Sequence, residues 1–299
     1  MTSTTQGAGQ GAGPLSGRTI LITGGASGIG AATAALMAQR GATLVLVDLD
    51  PDALERTVKE IGEEQALGVV ADVTDLDSLE AAVARGVERF GGLDGVLANA
   101  GIGSFGTILG VDPEAFRRVI EVNLIGVFHT VRAALPAVIE RQGYVLVVSS
   151  LAAFAAAPGM SPYDASKAGA EHFANALSLE MKPHGVSVGS AHMSWIETPM
   201  VTEARSDLPS FGEMIDKLPP PLNKTTDVQT CAQAFVEAFE NRKRRVYVPG
   251  WVGVLGRLRM LLTTTAGERL ASKDAADAME RMDQQARVLG RSMSERYSR

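Results

Sequence analysis

Seven short apolar runs, separated by stretches of helical length, constrain the fold of this chain more than any other feature. The runs are Thr19–Thr23 (TILIT), Thr43–Asp48 (TLVLVD), Leu67–Asp72 (LGVVAD), Gly95–Asn99 (GVLAN), Tyr144–Ser150 (YVLVVSS), Val186–Ala191 (VSVGSA) and Arg245–Pro249 (RVYVP). Most are near-continuous rather than alternating, which is how strands covered on both faces read. Helical patterns lie between them at Ile29–Arg40, Asp52–Glu60, Leu76–Phe90, Pro113–Arg141, Tyr163–Lys182 and Asp227–Arg242. Sustained strand–helix alternation predicts a doubly wound α/β fold, a parallel sheet of about seven strands with helices on both faces. The 299 residues could fill one large core or two smaller ones. No boundary interrupts the alternation, so one domain is expected over 16–250.

Composition narrows the class. With 45% hydrophobic and 21% charged residues the chain is not of disordered type. One cysteine excludes a disulfide framework and a multi-cysteine metal site, and four scattered histidines show no ligand spacing, so no metal is expected. The first 18 residues lack an apolar segment of signal-peptide type, and no run approaches about 18 consecutive apolar residues, so a cytoplasmic protein is expected. Residues 1–15 are Gly-, Ser-, Thr- and Gln-rich and read as disordered.

The first strand leads through Thr23-Gly-Gly-Ala-Ser-Gly-Ile-Gly30 straight into a helix. Glycines there let the turn tighten and bring N–H groups against a pyrophosphate at the positive helix end. The spacing Gly24, Gly28, Gly30 departs from G-x-G-x-x-G, and such a turn can also be a plain tight turn. The second strand ends in Asp48, 18 residues beyond Gly30. A carboxylate there can accept hydrogen bonds from ribose hydroxyls and repel a 2′-phosphate, or it can simply cap the strand. No basic residue is nearby: Ser27 precedes Gly28, Ile29 follows it, and Leu49 follows Asp48. NAD is therefore expected over NADP. Asp72-Val73 and Asn99-Ala100-Gly101 sit at the ends of the third and fourth strands, where ligands lie in such sheets.

The fifth strand ends in Ser149-Ser150, and Tyr163-Asp-Ala-Ser-Lys167 follows at a helix start. Tyr and Lys four apart share a helix face, so an ammonium beside the phenol would lower its pKa and make Tyr163 a general acid/base. Ser150 could hydrogen-bond a substrate oxygen. Asn123 is an odd polar residue between Val122 and Leu124.

In TGGASGIG, Asp72-Val73, Ala98–Gly101 (ANAG), Asn123, Ser150 and YDASK, in this order, the chain resembles the short-chain dehydrogenase/reductase family over roughly 16–250. The resemblance implies a Rossmann-type domain and a tetrad of Asn123, Ser150, Tyr163 and Lys167. Tyr163 would exchange the proton with the alcohol or carbonyl oxygen and Ser150 would polarise that oxygen. Lys167 would bind the nicotinamide ribose, and Asn123 would hold a water in the relay. Ile196 and Thr198 would hold the carboxamide, and a homotetramer or dimer would follow. One departure stands out: Met193-Ser194 occupies the place of the family's Pro-Gly. An NADP-linked carbonyl reductase and a non-catalytic dinucleotide-binding sensor are the alternatives.

The substrate wall is expected from Ile102–Thr107, Leu151–Pro162 with Phe154 and Met160, and a mobile loop Met200–Leu222. No cationic cluster faces it, so an uncharged, lipophilic secondary alcohol or ketone is expected. His192 could be a second acid/base, but a packed side chain is the simpler reading. Residues 241–299 carry 13 Lys/Arg and 6 Asp/Glu, a net +7, against −13 for the remainder. This basic extension, with an apolar stretch at Trp251–Leu262 and a helix at Ala266–Arg287, could touch a membrane surface. Folding over its own subunit or a neighbour is the expected outcome. It lacks the motifs of a nucleic-acid binder.

Overall fold

The computed structural model describes residues 13–262, 264–265 and 275–293. Seven strands form one wholly parallel sheet: β1 (Thr19–Thr23), β2 (Thr43–Asp48), β3 (Ala66–Val70), β4 (Gly95–Ala98), β5 (Tyr144–Val148), β6 (Ser187–Met193) and β7 (Arg245–Val248). Their spatial order is β3-β2-β1-β4-β5-β6-β7, so the winding reverses between β1 and β4. The crevice outside the strand C-termini at that reversal is where ligands bind in open α/β sheets.

Successive side chains on a strand point to opposite faces, and both faces are covered. Leu21, Val45, Val96, Val145 and Val147 pack with helices α3 (Leu76–Phe90), α5 (Gly126–Glu140) and α6 (Ser161–Met181). Ile20, Ile22, Leu44, Leu46, Leu97 and Leu146 pack with α1 (Gly28–Gln39), α2 (Pro51–Ile61) and α9 (Val228–Asn241). Two-sided burial is why the strands read as unbroken apolar runs. A third cluster joins Phe105, Met160, Leu208, Phe211, Ile215, Met282 and Ala286 beyond the strand ends.

The structure differs from the sequence expectation at three places. The run Pro113–Arg141 is not one α-helix: α4 (Pro113–Ile120) passes through a π-helical turn, Glu121–Ile125, into α5. The widened turn falls at Asn123, whose side chain is fully buried. This stretch, 113–140, is long and apolar enough in composition to span a bilayer. Its Val119, Val122, Val127, Val131 and Val138 instead face the protein core. Met200–Leu222 contains helices α7 (Pro199–Asp207) and α8 (Pro209–Lys217) rather than an irregular loop. Each starts on a proline pre-set for the first helical turn, and α8 buries Phe211 and Ile215.

At the N-terminus the ordered chain starts before residue 16. Leu15 is fully buried and its N–H donates to the Arg40 carbonyl, whereas residues 1–12 of the segment read as disordered lie outside the described residues. After β7 come α10 (Val252–Leu262) and α11 (Ala275–Leu289), the latter packed on α8. Residues 266–274 of the expected tail helix lie outside the described residues.

Candidate active site

The Gly-rich turn is held shut from beneath. A Cβ on Gly30 would lie 2.0 Å from the Gly24 carbonyl oxygen, so only glycine allows α1 to approach β1 this closely. The Asn99 side-chain amide donates to the carbonyls of Thr23 (3.0 Å) and Gly24 (3.2 Å). The Thr23 hydroxyl in turn accepts from the Asn99 and Ala100 N–H groups. The ends of β1 and β4 are thereby tied together and the turn is fixed in shape before any ligand arrives.

Above this turn runs a cleft of about 610 Å³. Gly24, Ser27, Gly28, Ile29, Asp48, Leu49, Asp72, Val73, Asn99, Ala100, Gly101, Ile196 and Thr198 all line it, together with Ser150, Tyr163 and Lys167. Gly30 alone of the expected cofactor residues does not: it is buried under the turn. Asp48 does more than cap its strand. One carboxylate oxygen accepts from Ala26 N (3.0 Å) in the turn and the other from Leu49 N (2.8 Å). Asp72 accepts from Thr74 N and Oγ1 and from Arg118 (3.4 Å), and these partners hold its carboxyl below the usual range despite the opposing cost of burial. Arg118 is a lining residue the sequence did not single out; its position on α4 is set by the fold, not by a local motif.

At the other end, Tyr163 and Lys167 rise from the first turns of α6. Burial pushes the Tyr163 phenol up to about 12, while the hydrogen bond with Ser150 lowers it. Burial, which i,i+4 spacing does not reveal, is the largest influence on the phenol. The Lys167 ammonium lies 5.6 Å from the Tyr163 ring centroid, donates to the Val148 carbonyl (3.0 Å), and is itself pushed down to about 8 by burial. Asn123 accepts from Ile102 N (2.8 Å) and donates to Ile102 O (2.9 Å) and Ser166 Oγ (3.0 Å). Both amide hydrogens are used, so its side chain anchors the 102 loop and has only one oxygen lone pair to offer a water. A Cβ on Gly101 would sit 3.2 Å from Asn123 Oδ1 and 3.3 Å from Lys167 Nζ, so this glycine leaves room for both.

His192 is packed, as the simpler reading had it. It is fully buried between Phe154 (ring centroids 5.3 Å apart) and Tyr247 (5.6 Å), and burial pushes it down to about 4. Its Nδ1 lies 3.3 Å from the Ser150 carbonyl oxygen, which only accepts, so Nδ1 carries the hydrogen; Nε2 is 2.9 Å from Ser190 Oγ. The neutral ring braces the strand end that carries Ser150. Phe154, expected in the substrate wall, belongs to this stack.

A second, smaller chamber of about 130 Å³ meets the cleft at Ser150, Tyr163, Met193 and Ser194. Its wall comes from Gly103–Phe105, from Leu151, Ala152, Ala155, Ala157 and Met160, and from Met200, Val201, Ala204 and Phe211. All three expected segments contribute. Trp195 was missed; it stands edge-on to Phe211 at 5.7 Å with its indole N–H on the Leu222 carbonyl. Ser104, Ser150, Tyr163 and Ser194 are the polar members, and among the described residues no charged side chain lines the chamber. Among the described residues no cluster of potential ligands could hold a metal ion.

Comparison with known proteins agrees with this geometry. The family model described as short chain dehydrogenase matches residues 18–209. A (-)-trans-carveol dehydrogenase of Rhodococcus erythropolis is 37% identical over 204 residues, covering 62% of this chain and 74% of that protein. A trans-4-hydroxycyclohexanecarboxylate dehydrogenase of Sinomonas cyclohexanicum is 34% identical over 217 residues, covering 70% and 80%. The crystal structure of a short chain dehydrogenase from Mycobacterium paratuberculosis bound to NAD superposes with TM-score 0.70 at 29% identity, covering 79% of this chain and 97% of that one. With nearly two hundred residues matched, spanning the Gly-rich turn, the strand-end serine and the Tyr/Lys pair, the chain belongs to the short-chain dehydrogenase family of oxidoreductases.

Proposed function

We propose that this protein is an NAD-dependent dehydrogenase/reductase of uncharged, lipophilic secondary alcohols and ketones. One observation carries the reading: an apolar chamber without a charged side chain opens onto Ser150 and Tyr163, where it joins the long cleft. Its volume, about 130 Å³, is close to that of the ~150 Å³ apolar cavity that holds benzene, so a ring-sized substrate fits. The dehydrogenase relatives named for carveol and for a hydroxycyclohexane acid support a cyclic secondary alcohol. The neighbour bound to NAD and the Asp48 carboxylate in the cleft support the cofactor.

The cleft fits a dinucleotide: a rigid Gly-rich turn opens onto a helix N-terminus at the sheet's reversal point. Bound there, the nicotinamide would supply the hydride acceptor or donor. The chain's own residues do the rest. Ser150 orients the substrate oxygen and Tyr163 takes its proton during oxidation or gives one during reduction. Lys167, which lines the cleft 5.6 Å from the centre of the phenol ring, would hold the ribose and stabilise phenolate. Exposed Ile125, Phe128 and Leu179 on the π-turn, α5 and α6 support a homo-oligomer.

Screening cyclic and aryl alkyl secondary alcohols and a sugar polyol with NAD and NADP, by appearance of reduced nicotinamide, tests the reading. Turnover of the cyclic alcohols with NAD is expected. A preference for the polyol, or for NADP, would refute the substrate class or the role of Asp48 respectively.

A further inference from the structure

The basic tail was the one part of the sequence without an assigned job. Its helix α11 lies against two of the three chamber walls, the 102–112 loop and the α7–α8 segment. Asp283 accepts from Thr107 N (2.8 Å) and Thr107 Oγ1 (2.5 Å). Past α11, the Ser292 carbonyl accepts from Phe105 N (2.9 Å) and the Ser292 hydroxyl from Asp112 N (3.1 Å). Three backbone donors of the loop are thus satisfied by the C-terminal segment.

The other wall is fastened the same way. Gln285 Oε1 accepts from Ser210 N (3.3 Å) and Ser210 Oγ (2.6 Å), satisfying a donor in the first turn of α8 that has no backbone acceptor within the helix. Arg281 pairs with Glu213 (2.9 Å) and Arg291 with Asp207 (3.0 Å), so part of the tail's positive charge meets acids of the body. Between these fastenings Met282 is fully buried with Phe105, Met160 and Phe211, all three of which line the chamber. Gly159, at φ +78°, packs directly under this residue: a Cβ there would lie 2.8 Å from Met282 Sδ.

We infer that the C-terminal helix is a specificity-setting part of the substrate site. Met282 fixes the depth of the chamber by backing Phe105, Met160 and Phe211, and Asp283 and Gln285 hold the two walls at their working separation. None of these touches substrate; they are positioning residues. The inference rests on the chamber being the substrate site, and it goes beyond that reading by assigning the size limit to residues outside the family-matched region, which ends at 209.

Full-length Met282→Ala, Asp283→Ala, Asp283→Asn and Gln285→Ala test it with cyclohexanone and the bulkier 4-phenylcyclohexanone. In hydrophobic pockets a methylene is worth roughly 10–200-fold in discrimination. Met282→Ala should therefore raise kcat/KM for the phenyl ketone about tenfold relative to cyclohexanone. Asp283→Ala should raise KM for both ketones several-fold with NADH affinity unchanged, and Asp283→Asn, which keeps an acceptor for Thr107, should recover most of the loss. Gln285→Ala opens no core cavity and should behave as a milder Asp283→Ala. Fluorescence of Trp195, a chamber residue, reads ketone binding without turnover. A size preference unmoved in Met282→Ala, or Asp283→Ala weakening NADH as much as ketone, overturns the inference while leaving the proposed activity standing. A wild-type protein that neither binds nor converts either ketone removes both.

Discussion

The two halves of the active site are built on different principles. The long cleft is made of strand ends, backbone and small residues tied together by hydrogen bonds between neighbouring strand ends, and its parts sit within short motifs. The substrate chamber is made of side chains from segments far apart in the chain, and its outer layer comes from residues 282–292, about 180 positions after Thr107. Backbone geometry is written locally, in glycines and strand-end polar residues. Side-chain walls are written only by tertiary packing.

The largest expected effect falls on the seam between the halves. Tyr163→Phe removes the proton donor and should lower kcat by about 10²–10⁴-fold, with NADH binding retained by fluorescence titration. Conversion at the wild-type rate would mean the seam is elsewhere. Gly30→Ala strikes the cofactor half alone. Its methyl would collide with the Gly24 carbonyl, costing about 1–3 kcal/mol of stability and weakening NADH at least tenfold. Thermal melting and titration report the two effects separately.

Asp48→Asn keeps an acceptor for Ala26 N but removes the charge. The ratio of kcat/KM for NAD over NADP should fall about tenfold, as loss of a hydrogen bond to a charged group implies. An unchanged ratio would leave Asp48 as a loop tie only.

The smallest effect belongs to Asp164, which follows Tyr163 in α6. Burial raises its carboxyl to about 7; one oxygen accepts from Ala157 N (3.0 Å) and the other has no partner. The folded state therefore keeps a proton that the unfolded chain, with an ordinary carboxylate, releases from about pH 4 upward. That contribution to stability is complete at low pH and is lost as pH rises towards 7. Asp164→Asn should lose less melting temperature than wild type between about pH 5 and pH 8, by about 2–4 °C for each 1 kcal/mol involved. Parallel melting curves would contradict the shift.

What was legible in the sequence follows the same division. The sheet could be read because two-sided burial leaves continuous runs such as TLVLVD, and the cleft because Gly24, Asp48 and Asn99 stand at strand ends and Gly28 opens the first helix. Asn123 was conspicuous, yet the π-helical turn around it was not, since a one-residue widening leaves no periodic trace in a run this apolar. The burial that raises the Tyr163 phenol was not legible, because spacing on a helix says nothing of depth. Arg118, Trp195, Met282 and Asp283 were invisible for a common reason: each matters through a partner distant in the chain, and no local pattern encodes that partner.

The central claim is that the apolar chamber and the long cleft form one site for hydride transfer to NAD. Initial rates of NAD reduction by a cyclic secondary alcohol, with Tyr163→Phe beside the wild type, test it most directly. The account predicts saturable NAD reduction by the wild type and a rate at least 10²-fold lower in the variant. No reduction of either NAD or NADP across the alcohol panel, or equal rates for the two proteins, would contradict it.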